Sequence, residues 1–167
     1  MTIAGFDHLP VEKKKELLTQ CCGSSAWINK MLTVFPVEDL VDLLDAAEIK
    51  WNECTVQEKM EAFEHHPKIG DINSLKEKFA NTAEWAAGEQ SGVNNTDENT
   101  LIELANANTE YENKFGFIFI VCATGRSANE MLNNLKDRMK NNKEEEINNA
   151  AEEQLKITRL RLEKLFN

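Results

Sequence analysis

The segment His65-His66-Pro67-Lys68-Ile69-Gly70-Asp71 concentrates residues able to move a proton. The residue before a proline is pushed out of the helical region, so His66 stands where a preceding helix must end, with its imidazole presented rather than stacked in a turn. A helix C-terminus carries partial negative charge that favours imidazolium, which suits a group that holds and delivers a proton near neutral pH. A half-buried capping histidine would use the same residues. His65 and His8 read as structural. Adjacent residues on a helix point apart, so no zinc site is expected from His65 and His66, and no metal is expected elsewhere.

A second group lies in Trp85-Ala86-Ala87-Gly88-Glu89-Gln90-Ser91-Gly92, where Phe79, Ala83, Ala86 and Gln90 fall on one helical stripe and turn Gln90 toward the core side. An amide offers two donors and an acceptor, and a neighbouring carboxylate accepts N–H groups, so Glu89 and Gln90 together could read a urea-like group. An ordinary helix end closed by Gly92 fits as well. Arg161 projects between Ile157 and Leu165, opposite the polar face of Glu152, Lys156 and Glu163, while Arg159 lies toward the polar boundary. An inward arginine needs an anion, either a structural carboxylate or a substrate carboxylate gripped by its planar fork, unless it snorkels to water. Thr124-Gly125-Arg126-Ser127 is a short turn into a capped helix, able either to receive a polar ligand on free N–H groups or simply to cap.

These residues have to be positioned by helices. Pro10 opens one that Gly23 stops; others are predicted at about Ser25–Val34 and Val37–Ile49, and Thr55 can cap the helix carrying Val56, Met60 and Phe63 that Pro67 ends. Helical pattern runs from Ile72 to Gly92, weakest near Asn81-Thr82, and Asp97 can cap a long helix to about Lys114. The run Phe115–Cys122 is apolar and β-prone; it predicts a buried, partly extended segment. Ser127-Ala-Asn-Glu130 has the form of a capping box and starts a helix with Met131, Leu132, Leu135 and Met139 on one side, and Lys143 to Phe166 makes the last helix.

A chain of 167 residues with 41% hydrophobic content can build one core, and only three prolines and seven glycines punctuate it. The expectation is a single all-α domain over 1–167. The formal charge of -10 repels a phosphate backbone, so nucleic acid is not an expected partner, though an anion can still be drawn to a local arginine. Cys21, Cys22, Cys54 and Cys122 lack both zinc spacing and the density of a disulfide scaffold, and read as reduced thiols. No basic start leads into an apolar core, no apolar run approaches the ~20 residues that span a bilayer, and Leu165-Phe166-Asn167 is no peroxisomal address. A cytoplasmic protein without membrane contact is expected.

Taken in order, His66-Pro67-Lys68-Ile69-Gly70, Gly88-Glu89-Gln90-Ser91-Gly92, Phe115 to Ala123 with Gly125-Arg126-Ser127-Ala128, and Leu160-Arg161-Leu162-Glu163 resemble the 2-oxo-4-hydroxy-4-carboxy-5-ureidoimidazoline (OHCU) decarboxylases over nearly the whole chain. Each motif is weak alone; four in sequence are specific. The resemblance implies an all-helical, homodimeric enzyme with no metal or organic cofactor that forms (S)-allantoin in urate breakdown, after urate oxidase and the hydroxyisourate hydrolase. It implies that His66 is the essential histidine, fixed by Pro67. It also implies that Ala86, Ala87, Gly88, Glu89 and Gln90 meet the substrate, that Phe119, Ile120, Val121, Cys122 and Ala123 line the pocket, and that Arg161 stands near the substrate. Some members carry a hydroxyl residue where this chain has Ala86, and the absence of a peroxisomal ending fits the bacterial type. The rival readings are a helical interaction module and a ligand-binding relative without turnover; intact His66, Glu89, Gln90 and Arg161 favour the enzyme.

Overall fold

The computed structural model describes residues 1–66 and 98–166, and every regular element among them is a helix: α1 (Ile3–Asp7), α2 (Val11–Cys21), α3 (Ser25–Leu32), α4 (Leu40–Asn52), α5 (Val56–Glu64), α6 (Glu98–Phe115), α7 (Ala128–Arg138) and α8 (Lys143–Phe166). The helical stretch expected at 72–92 and the cap at Asp97 fall outside the described residues. The chain divides into two compact units, Met1–His66 with Ile147–Asn167, and Pro67–Glu146.

In the first unit most helix starts are set by oxygen-bearing side chains that satisfy orphan N–H groups. Thr2 accepts from Gly5, Ser24 from Trp27 and Asp39 from Asp42. Thr55 and Glu58 form a full capping box, and the backbone hydrogen bond from Thr55 holds the Glu58 carboxyl below its ordinary value. Pro10 is the residue ahead of α2 rather than inside its first turn. The helix expected at Val37–Ile49 begins only at Leu40, because Asp39 supplies the cap, and runs on to Asn52. The short α1 was not expected; its place is set by Phe6, which is fully buried with its ring 4.7 Å from Phe35 and 5.3 Å from Phe166.

Two tryptophans anchor the core of this unit through their polar edges, as buried indoles must. Trp27 on α3 donates to the Ala47 carbonyl on α4 at 3.0 Å, and Trp51 on α4 donates to the Ala151 carbonyl on α8 at 3.0 Å. Leu18, Met31, Leu43, Ala47, Ala62 and Phe63 fill the space between. The buried stripe of α8 is Ala150, Ala151, Gln154, Thr158 and Leu162, whose spacing of about four residues defines one helix face.

In the second unit α6 ends at Phe115, and Gly116, at φ 81°, returns its N–H to the Glu112 carbonyl at 2.8 Å, the left-handed closure that glycine makes readily. A non-helical, partly buried run follows at 118–123 with no strand partner among the described residues. It is held from α7. Arg138 donates to the Ile120 carbonyl at 2.7 Å and stacks its guanidinium over the Phe119 ring at 4.6 Å. Tyr111, Phe115, Phe117 and Phe119 cluster around the same point, with centroids of the other three rings 4.7 to 5.8 Å from Tyr111. Ser127 and Glu130 form the expected capping box of α7.

Arg138 also meets Glu146, at 2.6 Å through Nε, and Glu146 further accepts from Tyr111 and, at 2.9 Å, from Asn141. Burial alone would raise the Glu146 carboxyl, but the bonds from Arg138, Tyr111 and Asn141 outweigh it and hold it below the ordinary 4.5; burial also pushes the Tyr111 hydroxyl far up. A carboxyl depressed in the folded state contributes stability that is present above its unfolded pKa and is lost as pH falls through the folded one. Arg138→Met, which strands a buried carboxylate, should therefore cost about 3–5 kcal/mol in urea unfolding at neutral pH. The advantage of the native protein over Glu146→Gln should shrink as pH falls below 4.5; equal acid sensitivity of the two would contradict the network.

Candidate active site

α5 ends at Glu64, three residues before Pro67, in keeping with the restriction on pre-proline residues. His65 is its C-cap, with its N–H on the Ala62 and Phe63 carbonyls, and His66 follows with its N–H on the Phe63 carbonyl at 3.2 Å. The imidazole thus leaves from the carbonyl end of a helix, the placement inferred from sequence. His66 Nε2 lies 2.5 Å from Gln154 Oε1. Gln154 is fully buried on α8; its amide Nε2 donates to Thr158 Oγ1 at 3.1 Å, and the Thr158 hydroxyl donates to the Gln154 main-chain carbonyl at 2.9 Å.

Gly23, between α2 and α3, makes room for this arrangement. A Cβ added there would sit 2.3 Å from Cγ and 2.4 Å from Cβ of His65, so the backbone approaches the His65 ring more closely than any side chain would allow.

Arg161 departs from the sequence reading. It is exposed, while Ile157 and Leu165 are only half-buried, because the buried stripe of α8 is rotated toward the small residues Ala150 and Ala151 and the internally satisfied Gln154 and Thr158. Its Nη1 donates to the carbonyls of Gln20 at 3.1 Å and Cys21 at 3.5 Å, at the C-terminal end of α2, and no carboxylate of the described residues pairs with it. Arg159, by contrast, is matched to Glu48 at 3.1 Å. Seven residues separate Gln154 from Arg161 on α8. That is two turns and about 10 Å along one side of the helix, so the buried anchor of His66 and an open guanidinium follow one another along the same element.

All four cysteines are free. Burial pushes Cys21 up to about 11, against the pull of Arg161, and Cys22 up to about 12. Neither is a nucleophile near neutral pH. Among the described residues no cluster of His, Cys, Asp and Glu could hold a metal ion, and no helix is long and apolar enough to cross a membrane.

Of the site residues named from sequence, His66 and Arg161 both stand on the first unit. Phe119, Val121, Cys122 and Ala123 are half-buried and Ile120 is buried, all on the second. Pro67, Ala86, Ala87, Gly88, Glu89 and Gln90 lie outside the described residues. Gln154 and Thr158 were not singled out; their four-residue spacing in line with Ala150, Ala151 and Leu162 is the signal that could have found them.

Among the described residues, a helix-terminal imidazole held by a buried amide on an all-helical frame forms a site able to hold and deliver a proton. The comparisons narrow this further. The family model described as OHCU decarboxylase matches residues 7–163, and the chain belongs to that family. It is 40% identical over 149 residues to the uric acid degradation bifunctional protein TTL of Arabidopsis thaliana, covering 88% of this chain and 45% of that protein. It is 35% identical over 102 residues to the 2-oxo-4-hydroxy-4-carboxy-5-ureidoimidazoline decarboxylase of Amia calva, covering 60% and 57%. The chain thus spans about half the length of these curated relatives. Among solved structures, an OHCU decarboxylase crystallised in the presence of (S)-allantoin superimposes with a TM-score of 0.70 at 39% identity, over 89% of this chain and 95% of that one. An (S)-allantoin synthase at 19% identity and a TM-score of 0.71, over 98% of this chain and 54% of that one, shares the fold.

The Gly23–His65 contact yields a direct test. Gly23→Ala should lower stability by about 1–3 kcal/mol, the usual cost of overpacking, in urea unfolding. Gly125→Ala, where nothing lies within 4 Å but φ is 75°, should lose only the left-handed penalty of about 1–2 kcal/mol, with the His66 resonances unmoved. Gly23→Ala should shift them, and unshifted His66 signals in that variant would contradict the close approach.

Proposed function

We propose that this chain decarboxylates 2-oxo-4-hydroxy-4-carboxy-5-ureidoimidazoline to (S)-allantoin in urate breakdown, as a carboxy-lyase. The observation that carries this reading is the helix-terminal His66 anchored on buried Gln154, with the exposed Arg161 two turns further along the same helix and unpaired by any described carboxylate. Membership of the OHCU decarboxylase family and the 39% identity to a structure obtained with (S)-allantoin support it.

The chemistry asks for such groups. Loss of carbon dioxide leaves an electron pair that moves toward the ring carbon bearing the ureido group, giving an enol-like species. That carbon must then take a proton on one face if a single enantiomer is to form. The conjugated ring is itself the electron sink, so the derived steps draw on no metal or organic cofactor. His66 delivers the proton. Arg161 orients the anionic substrate and screens its charge without gripping the departing carboxylate so tightly that the ground state is favoured. Glu89 and Gln90 are assigned to the ureido arm and ring amides. Pro67 fixes the histidine, and Ala86, Ala87, Gly88 and the run Phe119, Ile120, Val121, Cys122 and Ala123 complete the substrate contacts, all by family resemblance.

The family pattern over residues 7–163 supports reading 1–167 as one functional domain. The same resemblance supports a homodimer, and the reduced cysteines support a cytoplasmic setting, with the small-molecule substrate as the partner and nucleic acid disfavoured by the charge of -10.

Fresh substrate, made from urate by urate oxidase and the hydroxyisourate hydrolase, decays slowly to racemic allantoin unless an enzyme intervenes. The chain should speed the appearance of optically active allantoin, followed by circular dichroism, and His66→Asn should cut kcat by about 10²–10⁴-fold while the helical spectrum stays intact. A variant with full activity would remove His66 from the proton step; native protein that leaves the racemic decay unchanged would remove the function.

A further inference from the structure

We propose that Arg138 is a positioning residue for the substrate pocket: its grip on the Ile120 carbonyl fixes the peptide plane that carries the Val121 N–H, and with it the line of the run from Phe119 to Ala123. This rests on the reading of that run as a substrate contact.

A segment outside helix and sheet has no ladder to set its peptide planes, so each plane is as well defined as the individual bonds made to it. In 118–123 the Ile120 carbonyl accepts from Arg138 Nη1 at 2.7 Å, and the guanidinium lies 4.6 Å from the centroid of the Phe119 ring. One side chain thus holds two adjacent residues of the run. The peptide joining Ile120 to Val121 is trans and planar, so its N–H points opposite to its carbonyl. With the carbonyl turned to Arg138, the Val121 N–H is turned away from it, to the other side of the run. There it is a donor suited to a carbonyl of the kind that a ureido group or a ring amide presents.

Arg138 is itself held from several sides. Its Nε donates to Glu146 at 2.6 Å and its Nη2 to the Tyr111 hydroxyl at 3.4 Å, while Glu146 also accepts from Tyr111 and, at 2.9 Å, from Asn141. Both charges are buried. Replacing a buried ion pair by apolar residues of like volume is often neutral or stabilising, so stability alone does not account for this one. What an apolar pair lacks is a donor aimed at a carbonyl. A guanidinium has separate donors on Nε, Nη1 and Nη2 in a rigid plane and serves Glu146, Ile120 and Tyr111 together, whereas an ammonium is a point charge on a flexible stem. Arg138 acts through the peptide it holds rather than on the substrate.

The test joins kinetics to spectroscopy on the full chain. Contacts made alike in the ground and transition states appear in KM rather than kcat. Arg138→Lys should therefore raise KM for freshly made substrate about tenfold, the loss of roughly one hydrogen bond, with kcat within about twofold. The double variant Arg138→Met/Glu146→Leu, apolar and of like volume, should fold and show the same rise. Asn141→Ala, which weakens the network without touching the Ile120 bond, should lower the urea midpoint and leave KM unmoved. In ¹³C,¹⁵N-labelled protein the Ile120 carbonyl carbon should shift in both Arg138 variants and stay in place in Asn141→Ala. The Val121 amide of the native protein should respond to added (S)-allantoin, with binding about tenfold weaker in Arg138→Lys. A native KM in either Arg138 variant overturns the inference and leaves the proposed function standing. A Val121 amide that ignores (S)-allantoin in the native protein overturns it as well, whether or not the variants fold. Native protein that leaves the racemic decay unchanged, yet binds (S)-allantoin at Val121 in an Arg138-dependent way, removes the proposed function and keeps the positioning role.

Discussion

A primary amide carried into the interior of helical packing brings two donors and an acceptor, and each left unmet costs roughly 1–3 kcal/mol. Gln154 gives a hydrogen to Thr158 and sets its carbonyl oxygen against the His66 ring. The arrangement depends on α5 stopping where it does, on Gly23 leaving space beside His65, and on α8 turning its small and satisfied polar residues inward. Local helix endings and the long terminal helix are thus tied to the orientation of one ring.

The second unit solves the same kind of problem with charge. Glu146, in the first turn of α8, is fully buried and accepts from Arg138, Tyr111 and Asn141. Arg138 in turn reaches the Ile120 carbonyl, giving the irregular run after α6 one of the partners that a helix or sheet would otherwise supply. This explains how an apolar, β-prone stretch persists in an all-helical protein. Its backbone is held by a side chain of α7 and its aromatic side chains pack around Tyr111.

Much of this was legible in the sequence, for identifiable reasons. Thr55, Ser127 and Pro67 mark helix ends because caps and prolines act within a turn, and α7 and α8 begin where the local pattern says they should. His66 was legible because its conformation is dictated by the next residue. The start of α4 was missed by three residues, since Asp39 competes with Val37 as the point of entry and only packing decides. The face of α8 was misread because apolar periodicity weights Ile157 and Leu165, whereas the interior selects Ala150, Ala151, Gln154 and Thr158, residues whose burial depends on partners distant in the chain. Arg138 with Glu146 escaped for the same reason: a charged pair announces itself by contact rather than by spacing.

The thiols beside these elements divide into two chemical populations. Burial pushes Cys21 up to about 11 and Cys22 up to about 12, so both stay protonated near neutral pH, and both are closed off from water. Peroxide and alkylating agents therefore find them nearly inert, and Cys54 is buried too. Cys122, on the non-helical run, is the least buried of the four thiols. Thiol-directed chemistry on the native molecule is thereby steered toward one position, where a covalent label would report on the surroundings of that run.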